Sequence, residues 1–163
     1  VPYTGMIVST RESKDVRERV LHLGISQISG GSKTSVGGYD EEDYTEEDSS
    51  QFDVLDNRPL DEVLNWLMEA GYLPSFCTAC YREGRTGERF MEICKSKQIQ
   101  NCCHPNAIIT LKEYLQDYAS EKTKKTGDNL IQNELQNIEN DVTRRKTKEI
   151  LTEIEKGERD FRF

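Results

Sequence analysis

The sequence predicts an α/β plus α chain: the last two βα units of a larger (βα)8 TIM-type barrel over residues 1–72, then a mainly helical, metal-binding domain over residues 73–163. Three observations carry this. Two short apolar runs near the start flank a single amphipathic helix, all five cysteines fall between Cys77 and Cys103, and the chain beyond them is patterned at helical spacing. Two parallel strands do not make a stable sheet by themselves, so the first part is expected to complete a barrel rather than to stand alone.

Taken in order, Tyr3 to Thr10 has a Met6-Ile-Val8 centre that reads as a short buried strand of the parallel kind. Ser13 caps a helix whose apolar face is expected to be Val16, Val20 and Leu23, with Asp15 favouring the N-terminal dipole and Gly24 ending it. Ile25 to Ser29 is the second strand. Residues 30–58 form a long connection without apolar periodicity, and its Asp40 to Asp48 run is densely acidic, which reads as a solvated surface segment or a docking site for a basic partner. Pro59, Asp61 and Glu62 open a well-signalled helix with Val63, Leu64, Leu67 and Met68 inside, stopped by Gly71. A short helix with Phe90, Ile93 and Cys94 starts at Thr86 and Gly87. Pro105 opens another with Ile108, Leu111, Leu115 and Tyr118 on one face, ending near Ser120. Glu121 to Asp128, with Gly127, reads as a polar hinge. One last helical stripe is then expected, from Ile131, Leu135, Ile138 and Val142 through Ile150, Leu151 and Ile154.

The cysteine stretch carries the chemistry. Cys77 and Cys80 form a C-x2-C pair, and Cys103 follows after twenty-two further residues, with Cys94, Cys102 and His104 nearby. Thiolates two residues apart grip one metal centre, and a third from a distant turn closes the site. Zinc wants four ligands, which Cys77, Cys80, Cys103 or Cys102, and His104 can supply, although adjacent Cys103 and His104 make an awkward chelate and the second C-x2-C or H-x3-H pair is missing. A cubane cluster held by three cysteines leaves one iron open. Free thiols used as small apolar residues are the plain alternative. His22, in a helix among leucines, reads as a surface or packing residue, and His104 as a helix-capping residue or a support for a ligand.

Composition narrows the classes. With 22 basic against 30 acidic residues, the net charge of −8 argues against a nucleic-acid footprint. No stretch approaches the roughly twenty apolar residues of a membrane span, and no signal-peptide pattern is present. An odd cysteine count with metal-like spacing argues for a reducing compartment, so a cytoplasmic location is expected. Gly30-Gly-Ser-Lys-Thr34 is not a phosphate loop, because Ser32 stands where glycine is required before the lysine.

The run Cys77-Thr-Ala-Cys-Tyr-Arg-Glu-Gly-Arg-Thr-Gly-Glu-Arg89, the C-x2-C-x22-C frame, His104-Pro-Asn-Ala and Leu111-Lys-Glu-Tyr-Leu115 resemble the C-terminal domain of the HydG family of [FeFe]-hydrogenase maturases, radical S-adenosylmethionine (SAM) tyrosine lyases. The resemblance implies a radical SAM barrel followed by an iron–sulfur domain. It gives Cys77, Cys80 and Cys103 the ligand role for an auxiliary [4Fe-4S] cluster that can carry an extra, labile iron, and it leaves Cys94 and Cys102 outside the frame. SAM and its own [4Fe-4S] cluster are expected in a preceding N-terminal barrel segment, because no C-x3-C-x2-C motif occurs here. That segment, other hydrogenase maturation proteins and L-tyrosine are the expected partners. The implied activity is cleavage of tyrosine to p-cresol and dehydroglycine, with carbon monoxide and cyanide made from the latter and bound at iron on the auxiliary cluster. This chain by itself is expected to be inactive and to hold no catalytic residue.

Barrel active sites lie at the C-terminal ends of the strands. Ser9-Thr-Arg-Glu12 and Ser29-Gly-Gly-Ser-Lys-Thr-Ser-Val-Gly-Gly-Tyr39 are the two loops so placed, and both also resemble loops of HydG and of 2-iminoacetate synthase. Arg11, Ser32 and Thr34 are expected to orient the tyrosine carboxylate, with Lys33 assisting. Two other readings remain at this point: a zinc-binding interaction module without catalysis, and a 2-iminoacetate synthase-like lyase, a relative that lacks the C-terminal cysteine domain.

Overall fold

The computed structural model describes residues 5–34, 39 and 53–163; the acidic run Asp40 to Asp48 and the start of the first predicted strand lie outside them. The described chain is mostly helical with one two-stranded sheet, and it divides into two compact units, Val1–Val63 and Leu64–Phe163.

In the first unit, β1 (Ile7–Val8) and β2 (Gln27–Ile28) pair in parallel, Ile7 opposite Gln27 and Val8 opposite Ile28. Between them runs α1 (Lys14–Leu21), whose Ser13 side chain accepts from the Val16 N–H as the sequence predicts. The buried face of α1 differs from the expected one. Arg17 and Leu21 are buried, while Val16 is 37% and Leu23 is 80% exposed. The cause is a carboxylate from a distant loop: Asp56, itself buried, accepts from Arg17 Nη1 and from Arg58 Nε (2.8 Å) and Nη2 (2.6 Å). Arg17 Nη2 also donates to the Ser29 carbonyl. A buried charge is tolerated when it is paired and hydrogen-bonded, and this one ties α1 to the end of β2.

The helix α2 (Leu60–Glu69) opens after Pro59, and Val63, Leu64, Leu67 and Met68 are all buried. In the second unit follow α3 (Ala79–Arg82), α4 (Gly87–Lys95), a 3-10 turn at Gln98–Asn101, α5 (Cys103–Asp117), α6 (Glu121–Asn137) and α7 (Asp141–Glu155). Its core is the α5–α6–α7 packing of Ile108, Ile109, Leu111, Leu115, Ile131, Leu135, Ile150, Leu151 and Ile154. Tyr118, expected on the α5 stripe, is 77% exposed, and Ile109 is buried in addition.

Two expectations for the C-terminal helices are corrected. The predicted hinge at Glu121 to Asp128 is the first half of α6, capped by Ser120. Gly127 sits inside it because a Cβ there would lie 2.5 Å from Leu115 Cδ1, so glycine lets α6 approach α5 closely. The single last stripe is two helices. It breaks at Ile138–Asn140, where Asn140 Oδ1 accepts from the Val142 and Thr143 N–H groups and restarts the chain as α7.

Candidate metal centre and substrate loops

Two elements of the second unit carry the three cysteines of the frame. Cys77 lies just before α3, Cys80 lies in α3, and Cys103 is the first residue of α5. The approach to Cys77 is fixed by the Phe76 N–H, which donates to Thr110 Oγ1 of α5 at 3.2 Å, and by stacking of Phe76 on Tyr114 with centroids 5.3 Å apart. The Ala79 N–H donates to Cys77 Sγ at 3.4 Å. All five cysteines are free and half-buried.

Electrostatics marks the gathering. Burial, then the neighbouring Cys102 and Cys80 thiols, then Cys77, push the Cys103 thiol up to about 12. The Cys102, Cys80 and Cys77 thiols thus all act on Cys103. The start of α5 has no side-chain cap and no acidic residue in its first turn. Among the described residues, no three His, Cys, Asp or Glu side chains converge on one ion.

The neighbours divide clearly. Cys102 Sγ–H donates to the Ile99 carbonyl (3.5 Å) and the Gln98 carbonyl (3.7 Å) of the 3-10 turn. His104 Nε2 lies 2.7 Å from Glu134 Oε2 of α6, which makes it a link between α5 and α6. Cys94 lies on α4 as expected. His22, beyond α1, is exposed.

In the first unit the two candidate substrate loops leave the same ends of the paired strands, as the parallel register requires. Arg11 is exposed in the turn after β1, its N–H donating to Ser9 Oγ at 3.2 Å. Ser32 and Thr34 are half-buried, while Lys33 is exposed and donates its backbone N–H to the Tyr39 hydroxyl at 2.9 Å. Gly31 turns this loop at φ +62°, where a Cβ would meet the Leu60 backbone nitrogen at 3.2 Å.

A family model for the Biotin and Thiamin Synthesis associated domain matches residues 1–73. The crystal structure of HydG, a maturase of the [FeFe]-hydrogenase, is similar over 100% of this chain and 35% of its own, at 57% identity and a TM-score of 0.92. The chain belongs to the HydG family. HydG from Carboxydothermus hydrogenoformans is similar over 92% of this chain and 30% of its own, at 35% identity and a TM-score of 0.63. The chain thus spans about a third of the length of these HydG structures. No curated protein matches it. Among the described residues, no helix is long and apolar enough to cross a membrane.

Within this HydG-family chain, sequence reasoning missed the groups that hold the sites in place. Asp56 lies 39 residues from Arg17 and Glu134 lies 30 from His104, so neither pair has a local spacing that announces it.

Proposed function

We propose that this chain is the C-terminal part of a radical SAM tyrosine lyase that serves [FeFe]-hydrogenase maturation. Residues 1–72 form the last two βα units of its barrel, and residues 73–163 form the auxiliary iron–sulfur domain. The full enzyme cleaves L-tyrosine to p-cresol and dehydroglycine and makes carbon monoxide and cyanide for the hydrogenase cluster. The observation that carries this reading is the Cys77, Cys80 and Cys103 frame at C-x2-C-x22-C spacing, within a chain 57% identical to HydG.

Cys77, Cys80 and Cys103 are the ligands in this proposal. When bound, a [4Fe-4S] cluster on three cysteines supplies an iron with an open position, which accepts an extra labile iron and diatomic ligands. A C-x2-C pair with one distant cysteine supplies three thiolates, one short of a zinc tetrahedron, and suits a cluster with one open iron. Cys102 uses its proton on backbone carbonyls and His104 faces Glu134, so Cys103 is the third ligand and a zinc site built on His104 is disfavoured.

Arg11, Ser32 and Thr34 hold the tyrosine carboxylate, with Lys33 assisting, at the strand ends where barrel enzymes bind substrate. The preceding barrel segment supplies SAM, its cluster and the radical step.

Anaerobic iron, sulfide and zinc analysis, with the ultraviolet–visible spectrum before and after Cys77→Ala, tests the metal reading. Iron and sulfide with a thiolate-to-iron band that depends on Cys77 are expected. Stoichiometric zinc without that band would overturn it. Wild-type tyrosine affinity in Arg11→Ala would remove Arg11 from the substrate grip.

A further inference from the structure

The residues after α7 join the two halves of the cysteine set. Asp160 adopts a left-handed backbone at φ +69°, uncommon outside glycine and held only where the surroundings fix it. Its carboxylate receives both terminal nitrogens of Arg82, the last residue of α3, Nη2 at 2.9 Å. Its own N–H donates to Glu113 Oε1 on α5 at 2.8 Å. Arg162 Nε donates to Glu83 Oε1 just past α3 at 2.9 Å.

The same segment grips the first turn of α5. The Phe163 N–H donates to Asn106 Oδ1 at 2.8 Å, and the Phe163 carbonyl accepts from Arg85 Nη2 at 3.1 Å and from Asn106 Nδ2 at 3.5 Å. Asn106 is 2% exposed, so this is a built contact and not a surface brush. Arg159 adds a two-pronged pair with Asp117 at the far end of α5, its Nε at 2.8 Å. One short segment therefore holds the cysteine-bearing α3 and the residues just past it through Asp160, Arg162 and the Phe163 carbonyl, and holds the helix that begins at Cys103 through Arg159, the Asp160 N–H and the Phe163 N–H.

The need for such a tie follows from the size of α3. Four residues cannot hold themselves as a helix, and only Ala79 of α3 is buried. The extensive helix packing of this unit lies among α5, α6 and α7 and does not include α3.

We propose that Arg159–Phe163 is a strap whose residues position the Cys77–Cys80 segment against Cys103. As a support for metal binding this rests on the metal reading above; as a positioning device it is measurable without metal. Cys80 in α3 and Cys103 at the start of α5 are placed relative to each other by contacts that converge on Asp160 and Phe163.

The test compares wild type, an Arg82→Gln/Arg162→Gln double variant, and a charge exchange, Arg82→Asp with Asp160→Arg. Iodoacetamide alkylation of Cys80 and Cys103 is followed by peptide mass spectrometry on metal-free protein. Iron and sulfide bound after anaerobic reconstitution are counted against Cys77→Ala. Far-ultraviolet circular dichroism controls for the helices. The strap predicts severalfold faster alkylation and a severalfold loss of Cys77-dependent iron in the double variant, recovery of both in the charge exchange, and unchanged helicity. Wild-type alkylation in the double variant would overturn the strap whatever the metal content. Faster alkylation restored by the exchange, in a protein whose iron never depends on Cys77, would uphold the strap and overturn the metal reading instead. A double variant that loses helicity and is not rescued by the exchange would also overturn the proposal, since the segment would then serve the fold at large.

Discussion

Replacing Asp56 by asparagine removes one negative charge and almost no volume, and it leaves a buried arginine behind. The Arg17 side chain is 0% exposed and that of Asp56 2%, so water is not available to take over from the lost carboxylate. Burial already pulls the Arg17 guanidinium below its usual value against the opposing pull of Asp56. Breaking a buried pair from one side costs about 3–5 kcal/mol, and asparagine keeps one acceptor oxygen, which favours about 3 kcal/mol. For a chain of this length that is roughly a 6–12 °C fall in the midpoint of the affected transition. Thermal unfolding by circular dichroism measures it, and hydrogen exchange over residues 13–29 localises it to α1 and β2. Arg17→Met should cost less, because Asp56 keeps Arg58 while an apolar chain of similar length fills the space. A midpoint shift below about 2 °C for Asp56→Asn would refute the reasoning, as would an Arg17→Met variant less stable than Asp56→Asn.

Three further outcomes are expected. Hydrogen bonding from Arg58, followed by the charges of Arg17 and Arg58, holds the Asp56 carboxyl below the usual carboxylate range; its stabilisation is therefore full above the unfolded value of about 3.9 and lost as pH falls through the lower folded value. An acid titration of stability should flatten in that window in Asp56→Asn, and an unchanged slope would count against the network. Gly127→Ala gains about 1 kcal/mol of helix propensity but presses a methyl into Leu115, which is 1% exposed, at a typical cost of about 1–3 kcal/mol, so chemical denaturation should show a net loss and not a gain. With the Cys103 thiol pushed up to about 12, metal uptake at neutral pH must displace protons, and apparent affinity should rise about tenfold per pH unit for each proton released. In metal-free protein the same raised thiol makes stability fall as pH rises past the unfolded value of about 8.5, which a pH series of denaturation midpoints checks.

The strand–helix–strand start and the cysteine frame are legible in the sequence because both rest on local patterns: apolar runs, a serine cap and a fixed spacing of thiols. What was illegible rests on distant partners. The apolar rule turns Val16 and Leu23 inward and Arg17 outward, and it fails because Asp56 arrives from 39 residues away to satisfy the arginine. Gly127 reads as a breaker by propensity, yet the space left by Leu115 makes glycine the residue that lets two helices touch. The break before Asn140 carries an ordinary cap signal, but the apolar stripe runs across it unbroken, so periodicity alone joins α6 to α7. Spacing nominates Cys77 and Cys80 with Cys103 or Cys102, and only the family resemblance singles out Cys103, whereas the hydrogen bond from Cys102 to the Ile99 carbonyl is a feature of the turn and leaves no sequence mark.

The cysteine-bearing elements are the least self-sufficient parts of the second unit. Cys77 precedes a four-residue helix, and Cys102 and Cys103 follow a 3-10 turn entered through Lys97 at φ +61°. Helices α5 to α7 bury the core, so the cost of ordering the cysteine-bearing segments is met by long-range polar contacts such as Arg82 to Asp160 and Phe76 to Thr110. Such contacts are largely exposed, and solvent-exposed pairs are individually weak. On the proposed metal reading, a metal group on three thiolates would add a tie between the same two segments, and its binding free energy would become ordering free energy for them. Metal binding is therefore expected to slow hydrogen exchange first in residues 77–85 and 98–104, and to leave α6 and α7 nearly unchanged. Protection gained uniformly across the unit would show instead that the ligand segments are already as firmly held as the core.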